Sequence, residues 1–365
     1  MALLGEDALT MFRFQGLLGT FVVRASAFAV LSVAALGSTI GGTSTWDGGT
    51  ASWQARRNVV TTIAPGTPDY APIHGTPIAG YSGVAGLLIN SPAGSSICTG
   101  SLVNGFQLLT AAHCLADSSG NLTATSAQAV FFTDAGTYVG ASTSFEIHPD
   151  YTGSVFDDHD IAIVNLSVEA PGNIERYGLN YDDAVGEVFE VVGFGARGQG
   201  DTGATIAPGN RLRGFNEFDA IGSALLPFLG INTANSVYMF DFDNGNPNND
   251  AFGYWLGNAF FGLGLGIFES NTAPGDSGGP SFVNGRIAAV TSFGLTFTVT
   301  LPDGTFFNSD VLDGLNSSFG EFSGNTSIRA NRAWLASVLV PEPSTYLLMG
   351  VGLMGLAWMR RRHAK

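Results

Sequence analysis

The stretch Gly275-Asp276-Ser277-Gly278-Gly279-Pro280-Ser281-Phe282-Val283-Asn284-Gly285-Arg286-Ile287-Ala288-Ala289-Val290-Thr291-Ser292 decides how the rest of the chain is read. It opens on a glycine-dense turn around a single serine, runs through Pro280 to Val283, reverses at Asn284-Gly285 and returns along Arg286 to Ser292. An Asn-Gly pair between two short apolar runs marks a two-residue hairpin, because both central residues of that turn need positive φ. The same rhythm of short apolar runs and turn residues extends back to Val84. It appears in Val84 to Ile89, Gly100 to Val103, Gln107 to Thr110, Ala129 to Phe132, Ile161 to Leu166 and Glu187 to Val192. Such spacing predicts an all-β fold of barrel or sandwich type. One soluble helix is expected near the end, over Ser327 to Leu339, with Ser327 as its cap and Ile328, Trp334, Leu335 and Val338 on one apolar face.

Composition agrees with this reading. Of 365 residues, 45% are hydrophobic and 12% charged, and 50 glycines with 27 phenylalanines suit short strands joined by tight turns. The formal charge is −15 and Lys365 is the single lysine, so no basic field exists to hold a phosphate backbone and nucleic acid is excluded as a partner.

Both ends carry features of export. Arg13 and Arg24 precede an apolar stretch from Ala25 to Leu36 that closes on small residues, so residues 1–37 read as a signal peptide. Residues 38–72, rich in Gly, Thr and Pro with the Arg56-Arg57 pair, read as a linker or pro-segment. The two cysteines, Cys98 and Cys114, are free to bond once exported, and a disulfide closing a loop of that length contributes on the order of 3 kcal/mol. At the far end, residues 340–365 form a tail. Val340-Pro341-Glu342-Pro343 forces an extended backbone, Tyr346 to Met359 is uncharged and enters a bilayer marginally, and Arg360, Arg361 and Arg362 stay on the cytoplasmic side.

The interior motifs supply the parts of a nucleophilic hydrolase. Peptide hydrolysis by serine needs a hydroxyl, a base beside it, a buried acid to orient that base, and backbone donors for the oxyanion. Gly275 and Gly278 let the chain turn tightly enough for the N–H groups of Gly275 and Ser277 to share one small space. Thr110-Ala111-Ala112-His113-Cys114 places the base, His113, at the end of an apolar run. Asp160-Ile161-Ala162-Ile163-Val164 places a carboxylate at the mouth of a buried strand, where a histidine N–H is its natural donor. Asp157, Asp158 and His159 crowd that acid but do not sit directly before the strand, and read as a solvated loop.

These three segments, in the order His, Asp, Ser, resemble the motifs of the trypsin/chymotrypsin family of serine proteases. Cys98-Thr99-Gly100-Ser101-Leu102, His148-Pro149-Asp150-Tyr151, Val192-Gly193-Phe194-Gly195 and Ser292-Phe293-Gly294 support the resemblance, which spans about residues 73–339. It implies two six-stranded antiparallel β-barrels, about 73–180 and 181–339, with a short C-terminal helix and with His113, Asp160 and Ser277 as a triad at the seam. The tail resembles the PEP-CTERM sorting signal of Gram-negative bacteria. That implies an exosortase-type processing enzyme as partner, transient membrane contact, and delivery to the cell surface or medium.

The resemblance also assigns finer roles. Substrate choice would rest on Asn271, six positions before the serine, and on Ser292, Phe293 and Gly294; no aspartate stands at Asn271, so cleavage after Arg or Lys is expected to be poor. Gly294 would leave the pocket mouth open. The disulfide that many relatives carry just before the serine is replaced here by Ala273 and Pro274. Activation would follow cleavage after Pro72, the new amino-terminus at Ile73 pairing with Asp276. The chemistry requires no cofactor. Asp241, Asp243 and Asp250, in a stretch longer than the family needs, offer oxygen ligands for a structural Ca²⁺, the alternative being a plain polar turn. A peptide or protein is the expected substrate, with an esterase activity or a non-catalytic binding protein on the same scaffold as the other readings.

Overall fold

The computed structural model describes residues 81–209, 211–231, 237–257, 260 and 262–339, together with five strand segments nearer the amino-terminus, 12–16, 19–23, 39–46, 49–56 and 61–63. The apolar stretch Ala25 to Leu36, Ile73 and the tail beyond Leu339 lie outside the described residues, so the signal, activation and sorting expectations there have no structural counterpart. Among the described residues no helix is long and apolar enough to cross a membrane.

Six strands form the first lobe: β1 (Val84–Ser91), β2 (Gly94–Leu102), β3 (Gln107–Thr110), β4 (Ser126–Thr133), β5 (Gly136–Ile147) and β6 (Ala162–Leu166). All neighbours are antiparallel, and the order β5-β6-β3-β2-β1-β4 closes on itself. Closure removes the free edges that would otherwise seek partners. Strand alternation fills the interior. In β1, Val84, Leu87 and Ile89 are buried while Leu88 faces outward, and Leu102, Leu108, Phe131 and Ile163 meet them from across the barrel.

The second lobe is built on β7 (Val188–Gly193), β8 (Leu212–Glu217), β9 (Val237–Asp241), β10 (Pro280–Val283), β11 (Arg286–Thr300) and β12 (Phe322–Ser327). Its antiparallel order is β8-β7-β10-β11-β12-β9, ending on the two-residue strand Ala220–Ile221. This sheet is an open path, where the sequence led us to expect a second closed six-stranded barrel. Its last strand is too short to offer more than a pair of ladder bonds, and β11, at 15 residues, outruns its partner β10. The surplus edge of β11 is taken by Gly49–Arg56, which pairs from Gly294↔Arg56 to Thr300↔Thr50 and is itself paired with Thr39–Trp46. Part of the segment read as linker or pro-segment is thus joined to the sheet. Aromatic rings fill the core beneath: Phe252, Phe293, Phe297 and Phe322 on one side of the sheet, Phe189, Phe218 and Phe240 on the other.

The hairpin at Asn284-Gly285 forms as expected, with φ of 51° and 73°. Short helices α1 (Ala251–Leu256) and α2 (Arg332–Val338) complete the fold. The expected helix is shorter than Ser327 to Leu339, because Ser327 is the last ladder residue of β12 and Asn331 precedes the helix instead. Leu335 buries against the first-lobe core, and the Val338 carbonyl accepts a hydrogen bond from Gln107 Nε2 at 3.0 Å, tying the end of the chain back to β3.

Candidate active site

The strand β3 ends at Thr110, and a single 3₁₀ turn, Ala112–Cys114, carries His113 inward, 3% exposed. Cys114 is bonded to Cys98 on β2, so the turn is fixed to the neighbouring strand. Asp160 lies two residues before β6 and is fully buried. Its Oδ1 accepts the backbone N–H of His113 at 2.8 Å, and its Oδ2 meets His113 Nδ1 at 2.7 Å. The carboxylate therefore grips both the ring and the main chain of one residue. Burial alone would raise the Asp160 carboxyl. The His113 ring, by charge and hydrogen bond, together with the Ser292 hydroxyl and the His113 N–H, holds it below the ordinary carboxylate range.

Ser277 comes from the second lobe, three residues before β10, and is 3% exposed. Its carbonyl accepts the N–H of Thr99 on β2 at 2.8 Å. Gly278, at φ +83°, lies flat against the end of β3: a Cβ there would stand 2.1 Å from Thr110 Oγ1 and 2.9 Å from Ala111 N. The serine turn is thus seated on the strand that delivers His113. Neither Ser277 Oγ nor His113 Nε2 has a hydrogen-bond partner. Such contacts are commonly loose until a substrate is bound.

The loop around the serine is held from outside. Thr99 Oγ1 donates to the Gly275 carbonyl at 2.9 Å and accepts the Phe194 N–H at 3.1 Å. Within the loop, the N–H groups of Asp276, Gly278 and Gly279 are used by the carbonyls of Ala273, Thr291 and Asp276. Among the described hydrogen bonds none engages the N–H of Gly275 or Ser277, the two donors expected for an oxyanion. Asp276 is buried and accepts the Gly195 N–H at 2.8 Å; a Cβ on Gly193 would fall 1.7 Å from its Oδ1, so this carboxylate dictates that glycine.

Several expected pocket residues take different parts. Ser292 turns its hydroxyl onto Asp160 Oδ2 and so is a partner of the acid. The cause is a β-bulge: Thr291 pairs with Asn325 and Phe293 with Gly324, leaving Ser292 as the extra residue, re-aimed toward the first lobe. Phe293 points into the core, its ring 5.0 Å from that of Phe156. Gly294 is paired to Ser323 on one edge and, in the unprocessed chain, to Arg56 on the other. Asn271 is 1% exposed, and its Oδ1 accepts the Ser323 hydroxyl at 2.7 Å. Asp158 is buried rather than solvated, and His159 stacks on His148 at 4.2 Å between ring centroids. The contributions of Ser292 as a donor to Asp160 and of Thr99 as a brace went unread, because both depend on which way a side chain leaves its strand. Asp241, Asp243 and Asp250 do come together in the second lobe, all buried, with carboxylate oxygens within 4.8 Å of one another.

Comparison with known proteins identifies the family. Residues 72–210 match the trypsin family model, and residues 339–362 match the PEP-CTERM protein-sorting motif. The chain is 30% identical to brachyurin of Leptuca pugilator over 201 residues, covering 54% of this chain and 75% of that protein. It is 28% identical to a trypsin of Saccharopolyspora erythraea over 209 residues, covering 56% and 78%. Among solved structures, neuropsin, a serine protease expressed in the limbic system of mouse brain, aligns over 74% of this chain and 98% of its own at 17% identity and a TM-score of 0.48. The chain belongs to the trypsin-like serine protease family. It also carries a PEP-CTERM motif, which points to export and a surface or secreted location.

Proposed function

We propose that the protein is an exported serine endopeptidase with His113, Asp160 and Ser277 as its triad. The observation that carries the reading is the double hold of Asp160 on His113, through Nδ1 and through the backbone N–H, beside a buried serine with an unengaged hydroxyl. Ser277 Oγ attacks the peptide carbonyl and passes its proton to His113 Nε2. Asp160 keeps the Nδ1–H tautomer in place and stabilises the imidazolium. The oxyanion is received by the N–H groups of Gly275 and Ser277. His113 then protonates the leaving amine, and water, deprotonated by the same ring, releases the acyl group from Ser277.

No carboxylate stands at Asn271, where the resemblance puts the pocket base, and this disfavours Arg or Lys at the cleaved bond. Maturation frees Ile73, whose new ammonium group pairs with Asp276, and removes the strand Gly49–Arg56 from the edge of β11. The tail is processed by an exosortase-type enzyme at the membrane of a Gram-negative host, releasing the protein to the surface or medium. A fluorophosphonate probe applied to the mature protein tests the central claim. Labelling at Ser277 that is lost in His113→Ala is the expected result. Absence of labelling with both residues intact would assign the chain to binding rather than hydrolysis. Sequencing the amino-terminus of the labelled species checks Ile73, and cleavage profiling on a peptide library checks the side-chain preference.

A further inference from the structure

Five carboxyl groups gather in the interior of the second lobe, behind the short strand that carries Asn271. Four of them are positioned by the main chain. Asp219 Oδ2 accepts the Asp241 N–H at 3.3 Å, and Asp241 Oδ2 accepts the Phe252 N–H at 2.8 Å. Asp250 caps α1, its Oδ1 accepting the Gly253 N–H at 2.6 Å and its Oδ2 the Gly262 N–H at 3.3 Å. Glu269 accepts the N–H groups of Asp243 and Leu265, at 2.6 and 2.8 Å.

Asp243 is different. Its side chain is fully buried and aimed into the cluster, yet neither carboxylate oxygen has a hydrogen-bond partner. The groups whose charge acts on it are Asp241, Glu269, Asp250 and Asp219, all acidic. Burial first, and these like charges second, push the Asp243 carboxyl up to about 11, and burial with Asp241 pushes Glu269 up to about 8. An unpaired buried carboxylate costs several kcal/mol, and a cluster of them in one cavity is tolerated only with a counter-charge or a proton on each group.

The spacing suits a hard cation with oxygen ligands. Ca²⁺ binds oxygens at about 2.3–2.6 Å, so ligands on opposite sides of the ion stand up to about 5 Å apart, whereas the roughly 2.1 Å of Mg²⁺ brings them to about 4.2 Å. Oxygens of Asp241, Asp243 and Asp250 all lie within 4.8 Å of one another, close enough for one ion to reach all three, and a set of protein carboxylates suits Ca²⁺ over Mg²⁺, which dehydrates reluctantly. We propose that Asp241, Asp243 and Asp250 bind one structural Ca²⁺ inside the second lobe, with Asp219 and Glu269 flanking it.

The ion would brace the base of the substrate pocket. Glu269 leads directly into Ser270–Asn271, and the Asn216 amide ties the carbonyls of Asp241 and Ser270 together at 2.6 and 3.1 Å. This is the region before the serine that holds Ala273 and Pro274 and no cysteine. The site goes beyond the proposed peptidase activity and stands or falls separately from it.

The test uses the full chain carrying Ser277→Ala, so that neither self-digestion nor the peptidase reading affects the outcome. Protein stripped with EDTA is titrated with CaCl₂ and, separately, MgCl₂, with heats followed by calorimetry and thermal unfolding followed in parallel. One Ca²⁺ per chain, a Tm raised by several degrees at saturation, and a weaker response to Mg²⁺ are expected. Adding Asp243→Asn should weaken Ca²⁺ binding at least tenfold and abolish the Tm rise. In EDTA that variant should be at least as stable as its parent, since it removes a buried carboxyl whose oxygens make no hydrogen bond. No heat and no Tm response to Ca²⁺ would overturn the proposal and assign the carboxyls to a protonated cluster. An unchanged Ca²⁺ response in Asp243→Asn would overturn the placement of the site.

Discussion

Ser292 Oγ and His113 Nδ1 share one oxygen of Asp160, Oδ2, while the other oxygen is occupied by the His113 N–H. Three donors from two lobes thus converge on one buried carboxylate. Ser292→Ala removes one donor and leaves the charge in place. A hydrogen bond to a charged group contributes about 1.5–3 kcal/mol, so a loss of stability of that size is expected, with a fall in fluorophosphonate labelling rate of about tenfold or more. Ser292→Thr, which keeps the hydroxyl, should recover part of the rate. If the proposed triad holds, Asp160→Asn is expected to cost far more, about 10⁴-fold, because the amide favours the wrong histidine tautomer.

Gly278 is the point where the serine turn touches β3. Gly278→Ala places a methyl within 2.1 Å of Thr110 Oγ1 and 2.4 Å of the Thr99 carbonyl, at a φ of +83°. Ser277 must move, so labelling should drop to background even in preparations whose circular dichroism remains that of a β protein. Gly285→Ala serves as the control: it also has positive φ, but nothing lies within 4 Å of the added methyl, and labelling should be retained.

The disulfide closes a separation of 16 residues around the His113 turn. Replacing Cys98 and Cys114 by alanine should cost on the order of 3 kcal/mol, read as a lowered denaturant midpoint. Labelling should be more sensitive to temperature in this variant, since the turn bearing His113 loses its covalent tie to β2.

His148 lies 7% exposed, stacked on His159 and 5.0 Å from Trp334. Burial, then the neighbouring His159, lowers its pKa. The unfolded chain, where histidine titrates near about 6.5, takes up the proton first, so this site favours the fold above that pH and loses its contribution as pH falls through it. The difference in Tm between the parent and His148→Gln should therefore move against the parent as pH falls from about 7.5 to 5.5.

Most strands of the first lobe were legible because one face of each is buried, which imprints the period-two pattern on the residues themselves. Gln107–Thr110 and Pro280–Val283 have the ends expected of them. β5 escaped notice: most of its residues are polar or only partly buried, so burial left little mark on its composition. The helix at the end was over-extended because Ser327 satisfies both a helix cap and a strand end locally, and only its pairing with Ala289 decides between them.

By itself the sequence determined the family and the order of its motifs along the chain. His113, Asp160 and Ser277 stand in segments whose glycines and apolar runs fix the local backbone, and the PEP-CTERM motif is local as well. The tertiary structure decided what those residues face. A bulge of one residue turned the Ser292 hydroxyl onto Asp160, strand pairing turned Phe293 into the core and paired Gly294 on both edges, and chain reversal brought Asp241, Asp243 and Asp250 together. Side-chain direction in a strand depends on register, and register is settled by partners distant in sequence.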